Sequence, residues 1–232
     1  NASDVLANGA TALYFWTNTN APDQSGNYVL NNWASYTSVG GTVASNGTQE
    51  PNGTIQTAQG FVIGFNEADS TREVTFTNEM RVASNNNDQF FRQMSNDRHR
   101  YWLNLSDSQV TYNQILVGYM DNATMDVDTG IDATMFAYEG NAIYSLIDTS
   151  DEDYVIQGRS LPFEASDVVK LGFRAINAGS FTISLANFDG DFESENLIIY
   201  LKDNYIQTQH NLKDGAYNFV SEEGVFDNRF EV

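Results

Sequence analysis

Apolar and polar positions alternate in short runs along much of this chain. In "SFTISLANF" (180–188), Phe181, Ile183 and Leu185 fall on one face and Thr182 and Ser184 on the other. That is the period of a strand with one buried face. Similar runs of β-branched and aromatic residues occur in "ALYFWT" (12–17), "QGFVIGF" (59–65), "REVTFTNEMRV" (72–82), "RYWLNLSD" (100–107) and "NQILVGYM" (113–120). They recur in "NAIYSLI" (141–147), "YVIQGR" (154–159), "VVKLGFRA" (168–175) and "NLIIYLKD" (196–203), and "MFAYEG" (135–140) also reads as strand. Between them lie turn residues, as in "NAG" (177–179), "FDGD" (188–191) and "KDG" (213–215). One short helix is expected at "SDVLAN" (3–8), with Ser3 or Asp4 as its N-cap. The pattern predicts an all-β fold of antiparallel β-sandwich type, jelly-roll-like, with at most one or two short helices.

The Asn-rich stretch "ASNNNDQFFRQMSNDRHR" (83–100) marks a boundary. It divides a β-rich N-terminal part, residues 1–98, from an acidic β-sandwich part, residues 99–232, and the two can pack as one unit. The polar run "GGTVASNGTQEPNGT" (40–54) reads as a long loop at one end of a sandwich.

Charge narrows the possible partners. The net charge is −20 with three lysines, which excludes the basic footprint that nucleic acid requires. Residues 1–98 carry nine acids against four arginines, and residues 99–232 carry 22 acids against seven Lys/Arg, so most of the acid lies in the second part. There is no cysteine, which removes disulfides, thiolate nucleophiles and sulfur metal sites. No apolar run is long enough for a membrane helix, so no membrane insertion is expected. The chain does not begin with Met and carries no signal peptide, as expected of a processed chain or a fragment.

In "DNATMDVDTGIDATMF" (121–136), Asp126, Asp128 and Asp132 surround Gly130 with the spacing of a calcium loop. An EF-hand is excluded, because its twelfth position is Ala137 where a bidentate Glu is needed. A solvated turn and an irregular structural Ca²⁺ cage remain. Asp189, Asp191 and Glu193 in "DGDFESE" form a second acidic cluster, whose carboxylates would face one way if the segment were extended. His99 and His210 have no nucleophile motif beside them and read as structural. No G-x-S-x-G, H-E-x-x-H or P-loop pattern occurs, and no acid pair stands out for glycoside hydrolysis. Trp16 and Trp102 lie in apolar strands and are expected in the core. Trp33, in "NNWASY", is expected to be exposed and is the candidate for stacking on sugar.

Two long segments carry a resemblance: "YVIQGRSLPFEASDVVKLGFRAINAGSFTISLANFDGDFE" and "IIYLKDNYIQTQHNLKDGAYNFVSEEGVFDNRFEV". With "LYFWT", "QGFVIGF", "RYWLNLSDS" and "LVGYMDNATMDVDTGIDA" upstream, the chain resembles the β-rich module that precedes the C-terminal sorting domain of type IX-secreted Bacteroidota surface proteins, gliding-motility adhesin-like proteins among them. The resemblance implies secretion through the outer-membrane type IX machinery and an extracellular or cell-surface location. It supplies no catalytic residue. The function expected is a non-enzymatic structural or adhesive module, and the alternative is a carbohydrate-binding accessory module of a secreted hydrolase. Asp128, Gly130 and Asp132 align with family positions, whereas Asp126 falls where Gly is more usual. Ser70, in "DST" (69–71), fits the short O-glycosylation motif of such organisms. The resemblance also implies a strand upstream of "ASDVLAN", whose absence would leave a gap beside "ALYFWT". The upstream part of a longer polypeptide is expected to supply that strand, or a neighbouring subunit fills the gap by strand addition and builds a filament. Surface polysaccharide is the other partner class expected.

Overall fold

The computed structural model describes residues 1–66, 73–81 and 98–232. The chain opens with α1 (Ala2–Leu6), capped by Asn1, whose side chain accepts a hydrogen bond from Ser3 N at 3.2 Å. The cap is therefore Asn1, and the expected caps Ser3 and Asp4 lie inside the helix. So short a helix does not hold itself together. It is held by burying Ala2, Val5 and Leu6 against Leu13 and Phe15 of the first sheet.

That sheet contains β1 (Leu13–Trp16), β2 (Trp33–Tyr36), β3 (Gly41–Thr42) and β4 (Phe61–Ile63), in the antiparallel order β3-β2-β1-β4. β1 is central and buried on both faces. Leu13 and Phe15 meet α1, while Tyr14 points to a second core shared with the rest of the protein. The chain's own β2 and β4 pair with β1 on its two sides, so the gap expected beside "ALYFWT" is absent.

Twelve strands form the large sheet: β5 (His99–Ser106), β6 (Thr111–Met120), β7 (Ala133–Thr134), β8 (Ala142–Ser145), β9 (Tyr154–Ser160), β10 (Lys170–Ala175), β11 (Gly179–Asp189), β12 (Tyr200–Asp203), β13 (Thr208–Asn211), β14 (Tyr217–Ser221), β15 (Gly224–Val225) and β16 (Phe230–Glu231). Their order is β13-β12-β16-β10-β8-β9-β6-β5-β11-β14, with β15 beside β10 and β7 beside β9. The sheet is folded over on itself. Phe219 of β14 lies 4.8 Å, ring centre to ring centre, from Phe230 of β16, although these strands sit near opposite ends of the order. Phe173 at the centre touches the rings of Phe181, Phe219, Phe226 and Phe230. The fold is thus all-β and sandwich-like, with antiparallel pairing throughout except at β6 and β9, which run parallel. A parallel pair needs a crossover, and residues 121–153 supply it.

The small sheet docks on the outer face of this parallel seam. Gly118 and Gly158 are register partners there, and Val39, in the β2–β3 turn, is fully buried against them. A Cβ at Gly118 would lie 2.4 Å from Val39 Cγ1, and one at Gly158 would lie 2.2 Å from Ile131 Cγ2. Val39 of the turn fills the space over Gly118, and Ile131 of the crossover fills the space over Gly158.

Several expectations require correction. "REVTFTNEMRV" is not a strand over its described residues: residues 73–77 have no ladder partner, and Asn78–Met80 form a 3-10 turn. Phe76 is exposed there, and only Val74 reaches a core. "MFAYEG" is irregular because Ala137 adopts φ 48°, which no strand accommodates. "NLIIYLKD" pairs only from Tyr200. The 40–54 run is not a free excursion, since it contains β3, and Gly40, Ala44 and Ser45 are buried against the large sheet. β2, β13 and β14 went unread because "WASY", "TQHN" and "YNFVS" carry too few β-branched residues to stand out.

Candidate functional site

Alternation along β5 sends Tyr101, Leu103 and Leu105 into the main core, while Trp102 and Asn104 face the outside of the sheet. β6 contributes Gln114 to the same outer face, and β11 contributes Asn187. Between Leu185 and Asn187 the ladder slips by one residue, leaving Ala186 as a bulge with no partner on β5. Bulges re-aim side chains and interrupt pairing, and this one opens the floor of a cleft. The opposite wall is the 43–50 segment, with Asn46, Thr48 and Glu50 lining it. The cleft encloses about 530 Å³, within the range of small-molecule sites.

Its amides are fixed in orientation by a relay. Val43 N donates to Gln114 Oε1 at 3.2 Å, and Gln114 Nε2 donates to Asn104 Oδ1 at 3.0 Å. Asn46 is held from two sides: its Oδ1 accepts from Thr111 N at 2.9 Å, and its own N–H reaches the Thr111 carbonyl. Trp102 forms the base, with Nε1 donating to the Gly41 carbonyl at 2.9 Å and the Arg100 guanidinium 4.9 Å above its ring. Arg100 is fully engaged, since it also binds Asp189 and the Val39 carbonyl. Among the described residues, Glu50 is the one carboxylate on the lining, and it accepts from Gly41 N at 3.2 Å. Apart from Glu50, the cleft is therefore a set of preoriented neutral donors and acceptors, suited to hydroxyl-rich ligands.

The cleft is continuous with the loop after β1. Asn46 Nδ2 donates to Asn20 Oδ1 at 3.1 Å, and Asn20 Nδ2 donates to the Ser45 carbonyl at 2.9 Å. At the far side of that loop, Trp16 is 37% exposed and Tyr28 45% exposed. The tryptophan expected in the core is thus the open one. Trp33 is half-buried, wedged between Trp16 at 5.1 Å and Phe136 at 5.0 Å. The exchange follows from register: Trp16 and Trp33 are cross-strand partners at the end of the sheet, and only the inner ring reaches Phe136. Trp102 is buried as expected.

The acidic clusters use their carboxylates within the chain. Asp132 is buried, accepting from Asp128 N and Gly158 N at 2.7 Å each, and so ties the crossover to β9. Asp128 Oδ2 accepts from Thr124 N, while Asp126 is exposed. A calcium ion would have to share these oxygens with backbone donors, and Asp126 would have to swing in from the surface. The second cluster is not extended: Asp189 ends β11 in its pair with Arg100, and Gly190–Glu193 turn as a 3-10 helix. That turn buries Phe192 against Tyr101, and Asp191 N donates to His99 Nδ1 at 3.0 Å. Among the described residues, no group of three or more His, Asp or Glu is placed to hold a metal. His210 Nε2 meets the Gly215 carbonyl at 2.9 Å across its hairpin. Ser70 lies outside the described residues.

Burial pushes the Asp132 carboxyl up to about 7, and the nearby Asp128 charge adds to this, against the pull of two backbone N–H groups and Arg159. An acid raised in the folded state binds more protons folded than unfolded. Its contribution to stability is complete below the ordinary value of 3.8 and is lost as pH climbs to about 7. Asp167 runs the other way. Burial alone would raise it, but its bonds from Arg159 and Tyr119 outweigh burial and hold it low, so its contribution is lost as pH falls. Melting temperature is therefore expected to peak in mild acid and decline toward neutrality. Thermal melts across pH should show that decline flattened in Asp132→Asn. An equal decline in the variant would assign it to another group.

A family model described as Domain of unknown function (DUF8693) matches residues 1–232. No curated protein and no solved structure matches the chain.

Proposed function

The chain belongs to this DUF8693 family of unknown function, and we propose that it is a non-enzymatic, extracellular adhesive module that binds uncharged polysaccharide through its N-terminal face. One observation carries the reading. In a chain of net charge −20, residues 5–49 contain a single charged side chain, Asp23, and they supply the Trp16 corner and part of one wall of the cleft, whose lining adds one carboxylate, Glu50. Asp23 is itself occupied, its Oδ1 accepting from Ser25 N and Asn27 N. Acidic polymers would be repelled by a chain of net charge −20, which also disfavours nucleic acid. Neutral sugars lose nothing to that field, and amides and aromatic faces match their hydroxyl groups and ring C–H edges.

Hydrolysis of a glycoside ordinarily needs two carboxyl groups flanking the bond. Among the described residues the cleft lining offers Glu50 alone, in keeping with a binding role. Surface placement by type IX export is part of the proposal, and its support is the sequence resemblance. The binding chemistry is the same whether the parent protein is an adhesin or a secreted hydrolase.

A glycan array tests the reading, with Asn104→Ala as control. Saturable binding to neutral glycans is expected, weakened about tenfold or more in the variant because both Asn104 and the Gln114 relay are lost. Absence of binding to any neutral glycan, or selection of acidic ones, would overturn it.

A further inference from the structure

Trp16 and Tyr28 meet edge to face, with ring centres 4.8 Å apart and planes at 89°, so their open faces form a right-angled corner. The corner is rigid from behind. Trp16 abuts Trp33, Trp33 abuts Phe136, and Phe136 stacks on buried Tyr14 at 4.7 Å. It is rigid from the side as well, because Asp23 closes the 23–27 turn that presents Tyr28: Asp23 N donates to the Asn27 carbonyl at 2.8 Å and Gly26 N to the Asp23 carbonyl at 3.0 Å. An exposed aromatic pair costs free energy in water unless something covers it. Here two half-exposed rings are held in place by a row of aromatics running into the core.

The surroundings say what covers it. Thr17 follows Trp16 directly and begins the polar loop that runs through Thr19 and Asn20, with Thr19 Oγ1 donating to Thr17 Oγ1 at 2.8 Å and Thr17 Oγ1 to the Asn32 carbonyl at 2.9 Å. Asn20 then bonds Asn46, which lines the cleft. Residues 1–71 contain no Lys or Arg, and Arg100 at the cleft base is already paired with Asp189, which disfavours an anionic partner. A pyranose ring, apolar on its face and hydroxylated at its rim, fits both features.

Resting on the proposed polysaccharide-binding role, we infer that the Trp16–Tyr28 corner and the amide cleft are two subsites of one surface, joined through Asn20 and Asn46, so that the ligand is a chain of several uncharged sugar units. The corner stacks on one ring while the cleft hydrogen-bonds another. Affinity then depends on chain length, since a short sugar reaches one subsite and a long one reaches both without a second association cost.

The test is calorimetric titration of the full chain with neutral gluco- and manno-oligosaccharides, from the disaccharide upward, for wild type, Trp16→Ala, Tyr28→Ala and Asn104→Ala. Trp16 and Tyr28 are half-exposed, and circular dichroism checks that their variants keep the fold. Wild-type affinity is expected to rise about tenfold or more with length. Trp16→Ala and Tyr28→Ala should abolish that rise, whereas Asn104→Ala should weaken every length. If folded Trp16→Ala and Tyr28→Ala gain with length as wild type does, the corner is no subsite and the cleft alone binds. If wild type binds no member of the series, both readings fall.

Discussion

Asp203→Ala is expected to destabilise the protein by about 3–5 kcal/mol, the cost of leaving a buried charge without its partner. Asp203 and Arg229 are both buried, with Arg229 Nη2 3.1 Å from Asp203 Oδ2. Asp203 also accepts from Tyr217 Oη at 3.1 Å and Tyr205 N at 2.9 Å. The guanidinium lies over the rings of Phe219, Phe230 and Tyr205 and donates to the Val220 carbonyl. The pair thus ties β12 to β14, closing the folded sheet between its two ends. Without Asp203 the cation stays in that aromatic box with the Val220 carbonyl as its remaining acceptor. Urea denaturation gives the loss directly. Asp203→Ala combined with Arg229→Met should recover part of it, because the stranded charge is gone. A single-variant loss below about 1 kcal/mol, the scale of an exposed pair, would mean that water reaches the box.

The second large effect concerns the seam between the sheets. Gly158→Val is expected to cost about 3 kcal/mol or more, at or above the upper end for overpacking a filled site. Its Cβ alone would sit 2.2 Å from Ile131 Cγ2, 3.3 Å from Ala123 Cβ and 3.5 Å from Val39 Cγ2. Relief requires moving Ile131 and the crossover that Asp132 ties to Gly158 N, since Val39 lies at ordinary contact distance. Urea unfolding of Gly158→Val, with Ile131→Ala added as a second substitution, tests this. Ile131→Ala should recover stability in the variant while destabilising wild type, and no recovery would place the obstacle elsewhere.

The strands that bury one face clearly were legible in the sequence. Phe181, Ile183 and Leu185 alternate because one side of β11 faces a core, and that pattern survives in any context. Features created by two distant segments meeting were not legible. Gly118 and Gly158 look like ordinary strand glycines until the parallel register sets them side by side beneath Val39. The cleft draws on β5, β6, β11 and the 43–50 wall, so no spacing along the chain announces Asn104, Gln114 and Asn187. Its one sequence-level trace was available: a run of residues 5–49 with a single charge in an acidic chain. Trp16 and Trp33 show the limit of local patterning. Both lie in strands of similar polarity, and the ring of Phe136 decides which of them is covered. The acidic stretches drew attention by charge, yet Asp132 is an acceptor for buried backbone and Asp189 a partner for Arg100.

Uncharged sugar chains are expected to bind a preoriented face that carries little charge on an otherwise acidic protein. The most direct measurement is titration of the full chain with a neutral polysaccharide and with a uronic acid polymer of matched length, at low and moderate salt. The prediction is saturable binding of the neutral polymer, insensitive to salt and lost in Trp16→Ala combined with Asn104→Ala, with no binding of the uronic polymer. Binding of the uronic polymer, or neutral-polymer binding that survives both substitutions, would contradict the account.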